Sequence, residues 1–272
     1  MFSLLQSVNI RGSAGVPLPN PFESLKAKGV NLLRGQLALI ASGPGTGKSA
    51  FTLNWALKAA VPTMYFSADS DAFVQSSRAI SVLTGRTMVE SAKMVLGRQL
   101  SPDVVHELSG IPVRFNYSAS PTLDDVQLSI ESYEEVYGDY PSLVVVDNIT
   151  NVIGDGSDGE DPFSGLESLA DYLATMARDT EAAVVGLHHV TGSYNDADKP
   201  IPLSGVKGQI TRVPAMVLTL HKIPGNEWED DTLCVSAVKG RSFKADPSGA
   251  DFTRLRFDGP RMQIEDITTA EN

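Results

Sequence analysis

Ser42-Gly43-Pro44-Gly45-Thr46-Gly47-Lys48-Ser49 is the stretch where residue type and spacing carry the clearest chemistry. Gly43, Gly45 and Gly47 permit a tight turn whose backbone N–H groups point inward as a nest for an anion. A helix starting near Lys48 adds the positive end of its dipole. Lys48 suits the β- and γ-phosphates of a nucleotide, and the Ser49 hydroxyl suits magnesium. The usual phosphate-loop pattern has glycine where Ser42 stands, but Gly43 follows at once and keeps the turn open. A second signal lies downstream, where the apolar run Leu143-Val144-Val145-Val146 ends in Asp147. A buried strand of this kind delivers a carboxylate to the water shell of magnesium, opposite the loop. Together the signals imply that ATP and Mg2+ bind at Ser42, Gly43, Gly45, Thr46, Gly47, Lys48 and Ser49. The metal would be served by Ser49 and Asp147.

Strands must deliver these residues and helices must receive them. Residues 36–41 are a short apolar run suited to a buried parallel strand, and residues 48–60 have helical spacing that Pro62 ends. A strand over 63–67, helices over 72–83 and 123–136, a strand over 143–146, a helix over 165–179 and a strand over 183–187 follow. Strands over 213–220, 233–238 and 252–257 complete the C-terminal third. Alternation of strand and helix, then hairpins, predicts an α/β fold: a mainly parallel twisted sheet flanked by helices, with an antiparallel C-terminal edge. Residues 148–162 and 191–208 read as long loops after strand ends, where open α/β sheets place ligands. Residues 1–21, with Pro17, Pro19 and Pro21, read as an arm or a frayed terminus, with Phe2, Leu4 and Leu5 as anchors on a neighbour. Residues 22–268 form the main domain and 269–272 a tail.

The composition bounds the class. Apolar residues make up 42% of the 272 and charged residues 20%, as in ordinary globular proteins. The single cysteine, Cys234, excludes an intramolecular disulfide and lies in an apolar run, as a buried, inert thiol would. The start Met1-Phe2-Ser3-Leu4-Leu5 has no basic lead and no sustained apolar stretch. Neither a signal peptide nor a membrane span is expected, and a cytoplasmic location is. A net charge of −11 weighs against a general nucleic-acid binder, unless basic residues are confined to a pore.

The sequence resembles the RecA-like ATPase domain of DnaB-like replicative helicases. The resemblance rests on Gly35-Gln36-Leu37-Ala38-Leu39-Ile40 before the phosphate loop, Tyr65-Phe66-Ser67-Ala68-Asp69, and the strand ending in Asp147. Leu187-His188-His189-Val190 and Ala237-Val238-Lys239-Gly240-Arg241 extend it over residues 22–265. The resemblance covers the ATPase domain alone, and no counterpart of the primase-contacting N-terminal domain of bacterial replicative helicases is expected. The resemblance implies that Asp69 holds the place of the catalytic base, a glutamate in the family, with Asp71 as a substitute. Both aspartates could instead cap the following helix. It implies that His189 is the polar sensor of the γ-phosphate, with His188 the neighbouring alternative. It implies that Lys239 and Arg241 reach a neighbouring subunit's nucleotide, which requires a homo-oligomer. A hexameric ring is expected, with a filament as the other form.

The resemblance also places a loop along single-stranded DNA: Gly205, Lys207, Gly208 and Gln209, with Arg212 and Lys199 as helpers. Residues 148–162 carry Asp155, Asp158, Glu160 and Asp161, which would repel a phosphate backbone. Tyr194 alone among aromatics lies in a candidate loop, so sequence-specific readout has no support. The expected function is an oligomeric, DnaB-like ATP hydrolase of helicase or translocase type acting on single-stranded DNA in replication or recombination. A RecA- or RadA-like strand-binding ATPase without processive unwinding is the alternative. A metal-dependent nuclease using Asp69, Asp71 and Asp147, and a regulatory ATPase with protein clients, complete the field.

Overall fold

The computed structural model describes residues 1–10, 12–154 and 164–267. Two helices, α1 (Leu4–Ile10) and α2 (Glu23–Ala27), precede strand β1 (Leu37–Ser42) and helix α3 (Lys48–Ala59). Then come β2 (Thr63–Ser67), α4 (Ala72–Thr84), α5 (Met88–Gly97), α6 (Pro102–Ser109), β3 (Val113–Asn116), α7 (Leu123–Tyr137) and β4 (Leu143–Asp147). Helix α8 (Ser164–Thr180) leads to β5 (Ala183–His189), β6 (Met216–Ile223), β7 (Asp231–Gly240), β8 (Phe252–Asp258) and β9 (Gln263–Asp266). Among the described residues all strands join one nine-stranded sheet in the order β3-β2-β4-β5-β1-β6-β7-β8-β9. The first six strands in that order run parallel and the last three reverse direction in turn. This is the expected parallel sheet with an antiparallel edge.

The two faces of the sheet are covered by different helices, and side-chain alternation along the strands feeds both. On β1, Ala38 and Ile40 join the core that includes α3, whereas Leu37, Leu39 and Ala41 join the core that includes α7 and α8. Strands buried on both faces explain the continuous apolar runs visible in the sequence. Cys234 is buried in β7, and burial pushes its thiol up to about 11.

Several bounds differ from the sequence expectation. The strand expected from Val213 begins at Met216, because residues 210–212 form a 3-10 turn, Val213 stays helical in its dihedrals, and Pro214 has no N–H to donate. Residues 191–208 are not a plain loop: they carry 3-10 turns at Gly192–Tyr194 and Leu203–Gly205, and Val190 bridges Val206. Helices α5 and α6 and strands β3 and β9 were not expected, although Thr87 and Glu90 form a capping box and Ser101-Pro102 opens α6. Asp155, Asp158, Glu160, Asp161 and the tail at 269–272 lie outside the described residues. Among the described residues no helix is long and apolar enough to cross a membrane.

The arm divides in two. Helix α1 exposes Leu4, Leu5, Val8 and Ile10. Beyond it Ser13 donates to the Glu181 carboxylate from its backbone N at 2.7 Å, Pro17 bridges Leu33, and Leu18 is buried. Phe22 then stacks on Phe51 at 5.2 Å between ring centroids and meets Trp55 edge-on at 5.6 Å. These rings tie the entering chain to α3, the helix that begins at the phosphate loop. Phe22→Ala should lower the unfolding free energy by about 3–5 kcal/mol, measured by urea denaturation. An unchanged midpoint would show that the aromatic trio holds nothing in place.

Candidate functional site

Parallel register gathers the site at one edge of the sheet. Ser42 at the end of β1 pairs with His189 at the end of β5, and Ser67 at the end of β2 pairs with Asp147 at the end of β4. The loop between β1 and α3 turns through Gly45 at φ +70° and Gly47 at φ +117°, conformations that disfavour any side chain. At Gly43 the constraint is space rather than dihedral. A Cβ there would lie 1.9 Å from the Asn195 carbonyl oxygen, so the turn after β5 packs directly on the phosphate loop. The Ser42 hydroxyl donates to the Gly43 carbonyl at 3.0 Å, as does that of Thr46 at 2.9 Å. Lys48 is buried, and its Nζ donates to the carbonyls of Ser42 at 3.3 Å and Gly43 at 3.2 Å.

Asp147 is 1% exposed. The Tyr65 hydroxyl donates to its Oδ2 at 3.0 Å, from full burial beneath the site. Burial pushes the Asp147 carboxyl up, while hydrogen bonding by Ser49 and Tyr65 and the charge of Lys48 pull it back. Burial likewise lowers the Lys48 ammonium, against the pull of Asp147 and Asp69. Oδ1 of Asp147 makes no hydrogen bond of ordinary geometry. A buried carboxylate oxygen left over beside the Ser49 hydroxyl fits a magnesium ion, which takes few protein ligands and completes its shell with water and phosphate. Ser49 and Asp147 would hold it, and it would neutralise charge developing on the transferred phosphoryl group.

A cleft of about 340 Å³ opens above these groups, lined by the phosphate loop, Asp69, Asn148 and His189. Asp69 faces Asn148, whose Nδ2 donates to its carboxylate. Asp71 does not line the cleft. It caps α4, accepting from the Val74 backbone N at 2.9 Å. The histidines also part company. His189 lines the cleft, whereas His188 is fully buried with Nε2 at 2.7 Å from the Lys207 carbonyl. Burial and then Lys48 lower the His189 pKa; burial takes His188 down to about 4. Neutral imidazoles at neutral pH follow for both. Asp69, Asp71 and Asp147 therefore do not converge, and among the described residues no group of three or more His, Cys, Asp or Glu side chains is placed to hold a metal.

Sequence reasoning missed Tyr65 and Asn148 as partners of the two aspartates, and it missed Arg78. Arg78 reaches the cleft from α4 and donates to the Ser70 hydroxyl at 3.1 Å. Its position in an amphipathic helix close behind Asp69 was the available signal. Phe257 and Met262 close the cleft below Gly47 and Ala50 from the antiparallel edge.

Lys239 and Arg241 lie at the other edge of the sheet. Asp231 at the start of β7 pairs with Phe257 beside the cleft, while Gly240 at its end pairs with Met216 at the start of β6. Ten residues of strand separate these ends by on the order of 30 Å. Arg241 thus cannot serve the cleft of its own chain. Lys239 Nζ donates to the carbonyls of Thr211 at 2.6 Å and Arg212 at 2.8 Å, and Arg241 donates to that of Val213 at 3.0 Å.

The candidate DNA loop is only partly presented. Lys207, Gly208 and Gln209 are exposed, but Gly205 is buried against Tyr194. Its N–H donates to Pro202 and its carbonyl accepts from Thr191, so no Gly205 donor is left for a phosphate. Tyr194 itself is half-buried, with Lys199 Nζ 5.5 Å from its ring centroid. Arg212 pairs with Glu167 at 3.2 Å.

Comparison with known proteins agrees with this geometry. An AAA domain matches residues 17–193. The chain is 56% identical over 267 residues to the Gene 65 protein of Mycobacterium phage L5, covering 98% of this chain and 99% of that one. It is 55% identical over 231 residues to the Gene 65 protein of Mycobacterium phage D29, covering 85% and 99%. Among solved structures, one ATPase domain superposes with a TM-score of 0.79 at 15% identity, over 97% of this chain and 96% of that one. A DnaB-like replicative helicase, described with its interactions with primase, gives 0.78 at 14% identity, over 97% of this chain and 65% of that one. The RadB recombinase gives 0.59 at 18% identity, over 92% and 100%. Phosphate loop, strand order and these likenesses converge: the chain belongs to the AAA domain family, with the RecA-like P-loop fold of DnaB-like helicase ATPase domains.

Proposed function

We propose that this protein is a homo-oligomeric ATP hydrolase that acts on single-stranded DNA as a DnaB-like helicase or translocase, in a ring favoured to be hexameric. One observation carries the reading. The phosphate loop and the Lys239–Arg241 pair occupy opposite edges of the same sheet. A head-to-tail neighbour could therefore complete each cleft, and head-to-tail contacts close into rings.

In this reading the loop N–H groups and Lys48 hold the β- and γ-phosphates. Asp69, oriented by Asn148, accepts a proton from the attacking water as its oxygen bonds to the γ-phosphorus. The bond to the β–γ bridging oxygen breaks, and ADP leaves with that oxygen. His189 contacts the γ-phosphate as a neutral imidazole. Arg241 of a neighbour meets the charge that develops on the transferred group, where a guanidinium can bond oxygens bidentately. Lys207, Gly208 and Gln209 face the DNA backbone. The likeness to RadB supports a second reading, a filament that binds strands without unwinding them. ATP turnover with and without single-stranded DNA, measured beside the size of the assembly, tests the main reading. Turnover indifferent to DNA would sink it, and an open filament without unwinding would favour the second.

Lys48→Ala should abolish hydrolysis and leave the circular dichroism spectrum intact. Asp69→Ala should bind nucleotide and nearly cease to turn it over; wild-type turnover would move the base elsewhere. Lys207→Ala should reduce the log–log salt slope of strand binding by about one contact per subunit. A salt slope equal to wild type would remove Lys207 from the interface.

Arg241→Ala should retain nucleotide binding yet lose on the order of 10³-fold or more in turnover, as loss of an arginine finger does. Mixed and exchanged with Lys48→Ala subunits, it should regain activity, because some interfaces then pair an intact Lys48 with an intact Arg241. Co-assembled mixtures that never exceed the sum of the separate variants would refute action across the interface.

A further inference from the structure

Residues 207–213 descend from the cleft edge of the sheet to the opposite edge, and the segment is gripped near both ends. At the upper end His188 Nε2 lies 2.7 Å from the Lys207 carbonyl, and the Lys207 N–H donates to the His189 carbonyl at 3.2 Å. His188 is 0% exposed, and its Nδ1 has no hydrogen-bond partner among the described residues. A neutral imidazole that donates from Nε2 has a bare Nδ1, so this ring spends its one N–H on the segment. At the lower end the Lys239 ammonium bonds two successive carbonyls, Thr211 and Arg212. Lys239 is half-buried in making those bonds. The guanidinium of Arg241 reaches the same stretch through Val213 and remains exposed.

We propose that His188 and Lys239 are positioning residues that clamp residues 207–213 between β5 and β7, so that one short segment is tied to the strand serving its own cleft and to the strand presenting Arg241 to a neighbour. The proposal rests on the DNA-dependent reading above only for its consequence. A shift of β5 as His189 meets phosphate is then passed to Lys207 through the bonds that His188 and His189 make to it. A shift of Arg241 toward a neighbour's nucleotide pulls on the Val213 carbonyl beside the Lys239 anchor. Coupling of this kind needs an element with attachments to both sites, and this segment has them.

Amide hydrogen exchange of the full-length protein tests the clamp without DNA. His188→Leu should raise exchange at residues 207–213 on the order of tenfold, the worth of one ordinary hydrogen bond, while the amides of β1 and β4 keep native protection. His188→Gln, which returns a donor near the Nε2 position, should restore slow exchange. Lys239→Met should loosen residues 211–213, and Lys239→Arg should tighten them again. In the same His188→Leu protein, turnover without DNA should stay within about twofold of wild type, while stimulation by a single-stranded oligothymidylate is lost. Native exchange in both His188→Leu and Lys239→Met overturns the clamp. Faster exchange with full DNA stimulation overturns its role in communication. Should the wild type show no stimulation by DNA, the functional reading fails, and the exchange measurements still decide the clamp by themselves.

Discussion

Lys48 and Asp147 are opposite charges held almost out of water at the ends of adjoining elements, and most of the site is arranged around keeping both there. Each is disfavoured by burial and favoured by the other. Neither could stay without further partners: Tyr65 and Ser49 for the carboxylate, the Ser42 and Gly43 carbonyls for the ammonium. A buried pair left incompletely bonded is a poor stabiliser of a fold. It is a good receptor for a ligand that brings both a dication and a polyanion, because each then finds the counter-charge it lacks.

How much of this was readable from the chain depends on the range of the interaction. The phosphate loop is local, so its residues and the helix that follows were legible together. The apolar run ending in Asp147 was legible because a strand buried on both faces leaves a continuous signature. Tyr65 under Asp147, Asn148 beside Asp69 and Asn195 against Gly43 were not, since each contact depends on strand register across the sheet. Asp69 and Asp71 part company for a similar reason. Asp71 accepts a backbone N–H of its own helix, as a cap does, whereas Asp69 is turned toward a residue that follows β4. Helices α5 and α6 span only ten and eight residues and bury one residue each, Ser91 and Val104, so periodicity has little length in which to show.

The sheet has a polarity that the sequence hides. Motifs that lie in order along the chain are sorted by strand direction onto two edges, with Ser42, Ser67, Asp147 and His189 on one and Gly240 and Met216 on the other. The reversal between β6 and β7 does this sorting. Had β7 run parallel to β6, its end would have returned to the cleft of its own chain.

The close approach at Gly43 changes what the phosphate-loop pattern means as a rule about substitution. Position 42, where the pattern asks for glycine, tolerates serine because the side chain is accommodated and its hydroxyl finds the Gly43 carbonyl. Position 43 leaves no such room, since a methyl group there would overlap the Asn195 carbonyl oxygen. The irreplaceable glycine has thus moved one place along the chain. A search that demands glycine at the first position would reject this loop, while one that accepted alanine at the second would admit sequences unable to close it.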